Sequence, residues 1–314
     1  MYVAMSTPVL LLAFNRPDLF LELINCIRET APKNIYVAID GPRESNANDA
    51  QDVSDTVSLI TNIDWECNVR VLKQTSNLGC GRAVSSAISW VLEHEEMVII
   101  LEDDIRPNSS FFQFCEEMLQ RYKNDERIMT VSGHSMIEVP NSRINYRLSK
   151  YPVIWGWATW KRSWTLYEYS LDSYPKIGFV QLLKAYRGNL ILSLQCVLNF
   201  RAVRSNRIDT WDYQLVYSSF LYSKLHVIPN VNLTENVGFN QKATHTKFPT
   251  IPSPKTKEIG NFQSHQLTNC SPQSERRDRS ILQKQLFQSL RAYSTFRMSS
   301  ILSKYPRKLI KSSH

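Results

Sequence analysis

The feature that most restricts this chain is a wholly apolar run, Met97-Val-Ile-Ile-Leu101, that ends on three consecutive acids, Glu102-Asp103-Asp104. An uninterrupted apolar run of this length reads as a strand covered on both faces, as in a parallel sheet. Successive side chains on a strand point to opposite faces. Three adjacent carboxylates therefore cannot all reach water from a regular buried strand, so the chain has to turn at the triplet. A carboxylate trio at a strand end can hold a hard cation such as Mg²⁺ or Mn²⁺ through one or two direct ligands, with water and substrate phosphate completing the shell. The plainer alternative is a solvated turn that caps a following helix at Ser109 or Ser110.

The surrounding pattern repeats the same theme. Val-Leu-Leu-Leu-Ala-Phe at 9–14 is a second continuous apolar run. Asn15-Arg16-Pro17-Asp18 follows it, with a proline and an acid suited to a first helical turn. Leu19, Phe20, Leu23, Ile24 and Ile27 then form one apolar helical face. Strands are expected at 35–39, ending at Asp40-Gly41-Pro42, at 69–72 and at 128–132. Helices are expected at about 82–92, after the glycine-bearing turn Asn77-Leu-Gly79-Cys-Gly81, and at about 110–123. Strand and helix thus alternate through roughly the first 130 residues, a doubly wound α/β pattern. Ligands of such sheets bind beyond the carboxyl ends of the strands, where Arg16, Asp40, Arg82 and the triplet fall. Neither G-x-G-x-x-G nor G-x-x-x-x-G-K-[ST] occurs, which weakens dinucleotide and P-loop readings.

Charge excludes other functions. The 314 residues carry 37 Lys+Arg and 29 Asp+Glu, a formal charge of +8. Residues 271–314 hold ten of the bases and two of the acids, leaving 1–270 with 27 of each sign. The body is not a basic nucleic-acid cradle, and a polyanion or membrane role is assigned to the tail. No run approaches the ~18 apolar residues of a membrane span. Six scattered cysteines without a C-x-x-C pair suggest free thiols and a cytoplasmic setting. The expected organisation is a domain at 1–250, with a nucleotide-binding half at 1–135 and an acceptor-side half at 136–250. A linker follows at 251–275 and a basic amphipathic tail at 276–314. Leu282, Leu286, Leu290 and Tyr293 fall at helical spacing among Lys284, Arg291 and Arg297. That tail could lie on an anionic membrane or pack on the body.

The segment around the triplet, with Ile105, Pro107 and Phe111-Phe112 after it, resembles the metal-binding segment of GT-A glycosyltransferases. It is most similar to the N-acetylglucosaminyltransferase I family, whose Asp-x-Asp motif reads Glu-Asp-Asp. Other segments follow in the family's order over about residues 8–247. The resemblance implies a GT-A, Rossmann-like fold: a mostly parallel sheet flanked by helices, here with a helical basic C-terminal extension. It implies Asp104 as the direct ligand of Mn²⁺ or Mg²⁺, and Arg16, Asp40, Glu102 and Asp103 as nucleotide-sugar contacts. Arg82 is a further candidate. Gly156-Trp157 resembles an acceptor-side loop. Trp211-Asp212 resembles a Trp-Asp pair whose Asp is the catalytic base, with Asp209 as rival. Residues 236–245, with Lys242 and His245, resemble a loop that orders over the bound donor.

The expected activity is metal-dependent, inverting transfer of a hexosyl or N-acetylhexosaminyl group. The donor would be a nucleotide sugar, a UDP-sugar such as UDP-N-acetylglucosamine. The acceptor would be a saccharide or lipid-linked saccharide in surface-glycan synthesis, on the inner face of the plasma membrane if the tail binds it. The alternatives are a sugar-nucleotide nucleotidyltransferase, disfavoured by the glycine-free Phe14-Asn15-Arg16-Pro17, and a non-catalytic membrane or polyanion adaptor.

Overall fold

The structure, a computed structural model, describes residues 5–139, 144–238, 254–260 and 267–284. One sheet of eight strands organises them. Its left half is parallel: β3 (Asn68–Lys73), β2 (Asn34–Ile39), β1 (Val9–Ala13) and β4 (Met97–Glu102), in that spatial order. β8 (Trp157–Trp160) lies antiparallel between β4 and β6 (Ile128–Ser132). β9 (Leu225–Pro229) runs parallel to β6, and antiparallel β7 (Tyr146–Ser149) closes the edge. The expected α/β class with a mostly parallel sheet is the one observed.

Alternation along the apolar strands explains why both faces are covered. Val9, Leu11, Val37, Ile99 and Leu101 meet α1 (Pro17–Arg28), α2 (Asp49–Ser58) and α4 (Ser109–Arg121). Leu10, Leu12, Tyr36, Val98 and Ile100 meet α3 (Cys80–His94) and α8 (Asp212–Leu221). All five residues of the expected α1 stripe are buried. A short α5 (Lys161–Trp164) follows β8. α6 (Phe179–Ala185) and α7 (Leu190–Arg204) pack with α8 around a third cluster that includes Leu182, Phe200 and Tyr217.

Three elements differ from expectation. Gly156-Trp157 is not an acceptor loop: Trp157 opens strand β8, is 1% exposed, and stacks on Trp211 at 5.4 Å. An aromatic with apolar neighbours on both sides of a central strand is more stable buried than presented to a sugar. The span 251–275 does not behave as a free linker where it is described. Thr256 bridges to Asn232, and the Lys257 N–H donates to the Asn232 carbonyl at 2.8 Å. Glu258 accepts from the Ser110 N–H at 3.1 Å and so caps α4, together with Asn108. The described start of the tail is also docked, as a helix at 272–284. Its two acids face inward: Asp278 pairs with buried Arg147 at 3.1 Å, and Glu275 is shared by Lys150 and Arg187. Residues 285–314 lie outside the described residues. No helix among the described residues is long and apolar enough to cross a membrane.

The Arg147–Asp278 pair makes a stability prediction. Both side chains are under a tenth exposed, so removing one charge leaves the other buried and only partly compensated by Ser135 and the Pro229 carbonyl. Asp278→Ala should cost about 3 kcal/mol, seen as a lower urea midpoint at unchanged slope. An unchanged midpoint would mean that the pair contributes nothing net.

Candidate active site

The carboxyl ends of β1, β2 and β4 open into one cleft of about 510 Å³. Six carboxylates line it (Asp40, Glu102, Asp103, Asp104, Asp209 and Asp212) against two guanidiniums, Arg16 and Arg43. A narrow recess of about 40 Å³ runs on from the same wall between β1, β2 and α3, lined by Leu12, Ala38, Leu72 and Val84 with Asp40 at its mouth.

The triplet does turn, as the alternation argument requires. Glu102 ends β4, Asp103 and Asp104 form the turn, and β5 (Ile105–Pro107) starts afresh. Parallel pairing of β1 with β4 sets Leu12 beside Glu102, which brings Arg16 to the triplet from 87 residues away. Its Nε and Nη2 grip both oxygens of Asp103, and Nη1 reaches Asp104 Oδ2 at 3.1 Å. Asp104 Oδ1 accepts no hydrogen bond from the described residues. Burial alone would lower the Arg16 pKa, but Asp103 and Asp104 outweigh it and hold the group above its ordinary value. Burial, then Asp104 and Asp103, pushes Glu102 up to about 8. Asp103 is raised too, by burial first, with Arg16 opposing. The triplet does not cap α4, because Asn108 and Glu258 do that.

Asp40 is a clamp. Oδ1 accepts from the Gly41 and Leu78 N–H groups, and Oδ2 accepts from Asn77 and the Gly79 N–H, all within 3.2 Å. Burial raises its pKa while these backbone donors pull it down. The clamp shapes the turn before α3, where Gly79 has φ +80° and a Cβ would come within 2.3 Å of Asp209. Asp209 in turn accepts from the Gly81 N–H at 2.9 Å, at the N-terminus of α3. Asp209 and Asp212 differ in what their carboxylates bind. Asp209 satisfies the end of a helix 128 residues away in sequence. Asp212 opens α8, uses Oδ1 for the Thr210 hydroxyl and the Tyr213 N–H, and leaves Oδ2 without a hydrogen bond among the described residues.

The segment leading to the expected lid is anchored beside the triplet. β10 (Thr234–Asn236) pairs antiparallel with β5, and the Val237 N–H donates to the Asp104 carbonyl at 2.9 Å. A Cβ on Gly238 would sit 2.2 Å from Asp104 Oδ2, so only glycine allows this approach. Lys242 and His245 lie outside the described residues.

Arg82 does not reach the cleft. It is on the exposed side of α3, 5.5 Å over the Tyr169 ring, in a separate groove. Helical phase decides this, since Gly81, Val84, Ser85 and Ile88 turn inward. Trp155 and Trp211, not Trp157, are the indoles on the cleft wall, Trp155 edge-on to buried His134 at 4.7 Å. Burial lowers His134 to about 4, so the ring is neutral at ordinary pH. Arg43 was not singled out from the sequence. It follows Asp40 by three positions at the same strand end, but is bound to Asp49.

The acids suit a hard divalent cation. All the donors are oxygens, the cluster carries more negative charge than its two guanidiniums offset, and Asp104 Oδ1 is uncommitted. Among the described residues no three His, Cys, Asp or Glu side chains converge as a preformed metal cage. A site that supplies one or two carboxylates and leaves the remaining positions to water and phosphate needs no such cage.

No known protein family matches the chain, and no curated protein matches it. Among solved structures, S. aureus TarS 1-349 is similar over 75% of this chain and 61% of that one, at 12% identity and TM-score 0.40. The likeness is remote, and this chain spans less than two thirds of its length.

The acid cluster makes a pH prediction. A carboxyl held near 8 in the fold and near 4.5 when unfolded binds its proton more readily in the folded state between those values. Its penalty is absent below about pH 4.5, grows as pH rises, and is complete above 8. Glu102→Gln should therefore raise the Tm of the metal-free protein at pH 8.5, by about 2–4 °C per kcal/mol relieved. The gain should shrink toward pH 5. A gain independent of pH would assign it to packing instead.

Proposed function

We propose that the chain is a metal-dependent, inverting glycosyltransferase acting on a nucleotide sugar, with a UDP-sugar such as UDP-N-acetylglucosamine as the donor class. The acceptor is a saccharide or lipid-linked saccharide of a surface glycan. The observation that carries this reading is the pairing, across one cleft, of carboxylates at the ends of β2 and β4 with an Asp212 that keeps one oxygen free of hydrogen bonds among the described residues. A diphosphate cannot enter a cleft with six carboxylates and two guanidiniums unless a cation accompanies it.

Asp104 would hold that cation through Oδ1, with Asp103 fixed by Arg16 behind it. When bound, a divalent ion offsets the charge that develops on the departing nucleoside diphosphate. The apolar recess beside Asp40 suits the edge of a nucleobase. Asp212 takes the proton of the acceptor hydroxyl as that oxygen bonds to the anomeric carbon. The anomeric C–O bond to the diphosphate breaks in the same displacement, so the configuration inverts.

The test is thermal shift with UDP, GDP, CDP and dTDP, each with and without Mn²⁺, followed by a donor panel read by mass spectrometry. Stabilisation by one nucleotide only when Mn²⁺ is present is expected; none by any would overturn the reading. Asp104→Ala and Gly238→Ala should both weaken that metal-dependent shift, the second by displacing the Asp104 carboxylate. Asp212→Asn should keep the shift and lose transfer by about 10²–10⁴-fold. Undiminished turnover in Asp212→Asn would place the base elsewhere.

A further inference from the structure

α7 is apolar on two faces, although it is not a buried helix. Its inner face carries Leu192, Cys196, Val197, Phe200 and Val203 against α6 and α8. Its outer face carries Leu190, Ile191, Leu194 and Leu198, which are 60%, 44%, 53% and 49% exposed. These positions fall on one stripe at helical spacing. Val180, at the start of α6, is 60% exposed and Phe179 39%. A soluble helix ordinarily turns a polar face to water, so a continuous exposed apolar stripe marks a surface that meets something.

The charge around the stripe says what. Residues 173–208 contain six Lys/Arg and no Asp or Glu, and all six bases are exposed. Arg201 continues the face of α7 beyond Leu194 and Leu198, and Lys184 ends α6. An apolar stripe rimmed by bases alone is the composition of a helix that lies in a bilayer interface. A second copy of the chain fits poorly, because a two-fold interface sets the same patch against itself and would oppose base to base.

We propose that α6 and α7 form a docking face for an anionic phospholipid bilayer. The leucine stripe enters the headgroup boundary and the flanking Lys and Arg meet lipid phosphates. The proposal stands on the hairpin and not on the transferase reading. It is also distinct from a role for the C-terminal tail, whose described part is docked on the body through Asp278 and Glu275. α7 packs on α8, the helix that opens with Asp212. A bilayer against α7 would therefore lie one helix layer from the candidate base.

The test is flotation of the full-length chain with vesicles of phosphatidylcholine alone and of phosphatidylcholine mixed with phosphatidylglycerol. The wild type should float with the anionic vesicles, weakly with the neutral ones, and less as salt rises. Leu194→Asp with Leu198→Asp should lower the apparent affinity at least about tenfold, from the apolar burial lost, while the circular dichroism melt is kept. Lys184→Glu with Arg201→Glu should abolish the preference for anionic lipid. Failure of the wild type to float overturns the proposal. So does a leucine variant that floats like the wild type, which would assign the contact elsewhere, the basic C-terminal residues included. A wild-type dimer that the leucine variant dissociates, with no vesicle binding, would identify a second copy as the occupant. Because no donor or metal enters this assay, its failure leaves the transferase reading untouched.

Discussion

Arg16 is the guanidinium that, among the described residues, hydrogen-bonds the carboxylates of the triplet, and the site's geometry depends on that contact. Asp103 is almost fully buried and carries a charge that would otherwise be uncompensated. Isolated buried charge is costly enough to unfold a domain or to drive protonation. The Arg16 fork answers it with contacts to both Asp103 oxygens and a third to Asp104. That arrangement requires β1 beside β4 in parallel register, so that the residues just past one strand meet those just past the other. One guanidinium does not offset three acids, and burial first, then the charges of Asp104 and Asp103, raises Glu102. The cleft thus gathers more carboxylates than guanidiniums, without a closed metal cage among the described residues.

A second set of contacts places Asp212 on the same cleft. Asp40 fixes the turn at Asn77–Gly79, the turn starts α3, and the first turn of α3 takes Asp209 as an acceptor. Two glycines make this possible: Gly79 by its positive φ, and Gly81 by leaving room for Asp209 and the Thr210 carbonyl. Asp212 follows three residues after Asp209. Its position across the cleft from the triplet is therefore fixed by carboxylate–backbone bonds that run from β2 through α3 to the start of α8.

This division of labour could not be read from the sequence, while much around it could. Continuous apolar runs revealed β1, β2 and β4 to within a residue or so, because burial on both faces leaves no other composition. The α1 stripe was legible for the same reason. β8 was not, since Trp157-Ala-Thr-Trp160 alternates too briefly to separate a strand from an aromatic loop, and its place between β4 and β6 is a long-range choice. α7 was hidden by being apolar on both faces, which removes the periodicity that marks a helix. Arg82 was misplaced by one helical step: the sequence puts it near the strand edge, but only the phase of Val84 and Ile88 shows that it faces away. The roles of Asp40 and Asp209 depend on backbone N–H groups, which have no sequence signature at all.

Charge gives the same lesson at larger scale. Residues 1–270 are neutral in sum, which suggests a body without electrostatic character. In space, six of the 27 acids of that body line the cleft, while the span 173–208 contains bases and no acid. Cancellation along the chain thus conceals two opposite surfaces. An anionic plane attracts one and repels the other, so it would select a single orientation: the α6–α7 hairpin against the surface and the acidic cleft turned from it. It would also hold α8 close to whatever the surface carries. The tail reinforces this polarity, because its two acids are turned inward against Arg147, Lys150 and Arg187. In the described start of the tail, Arg276, Arg277 and Lys284 are exposed while Glu275 and Asp278 are buried.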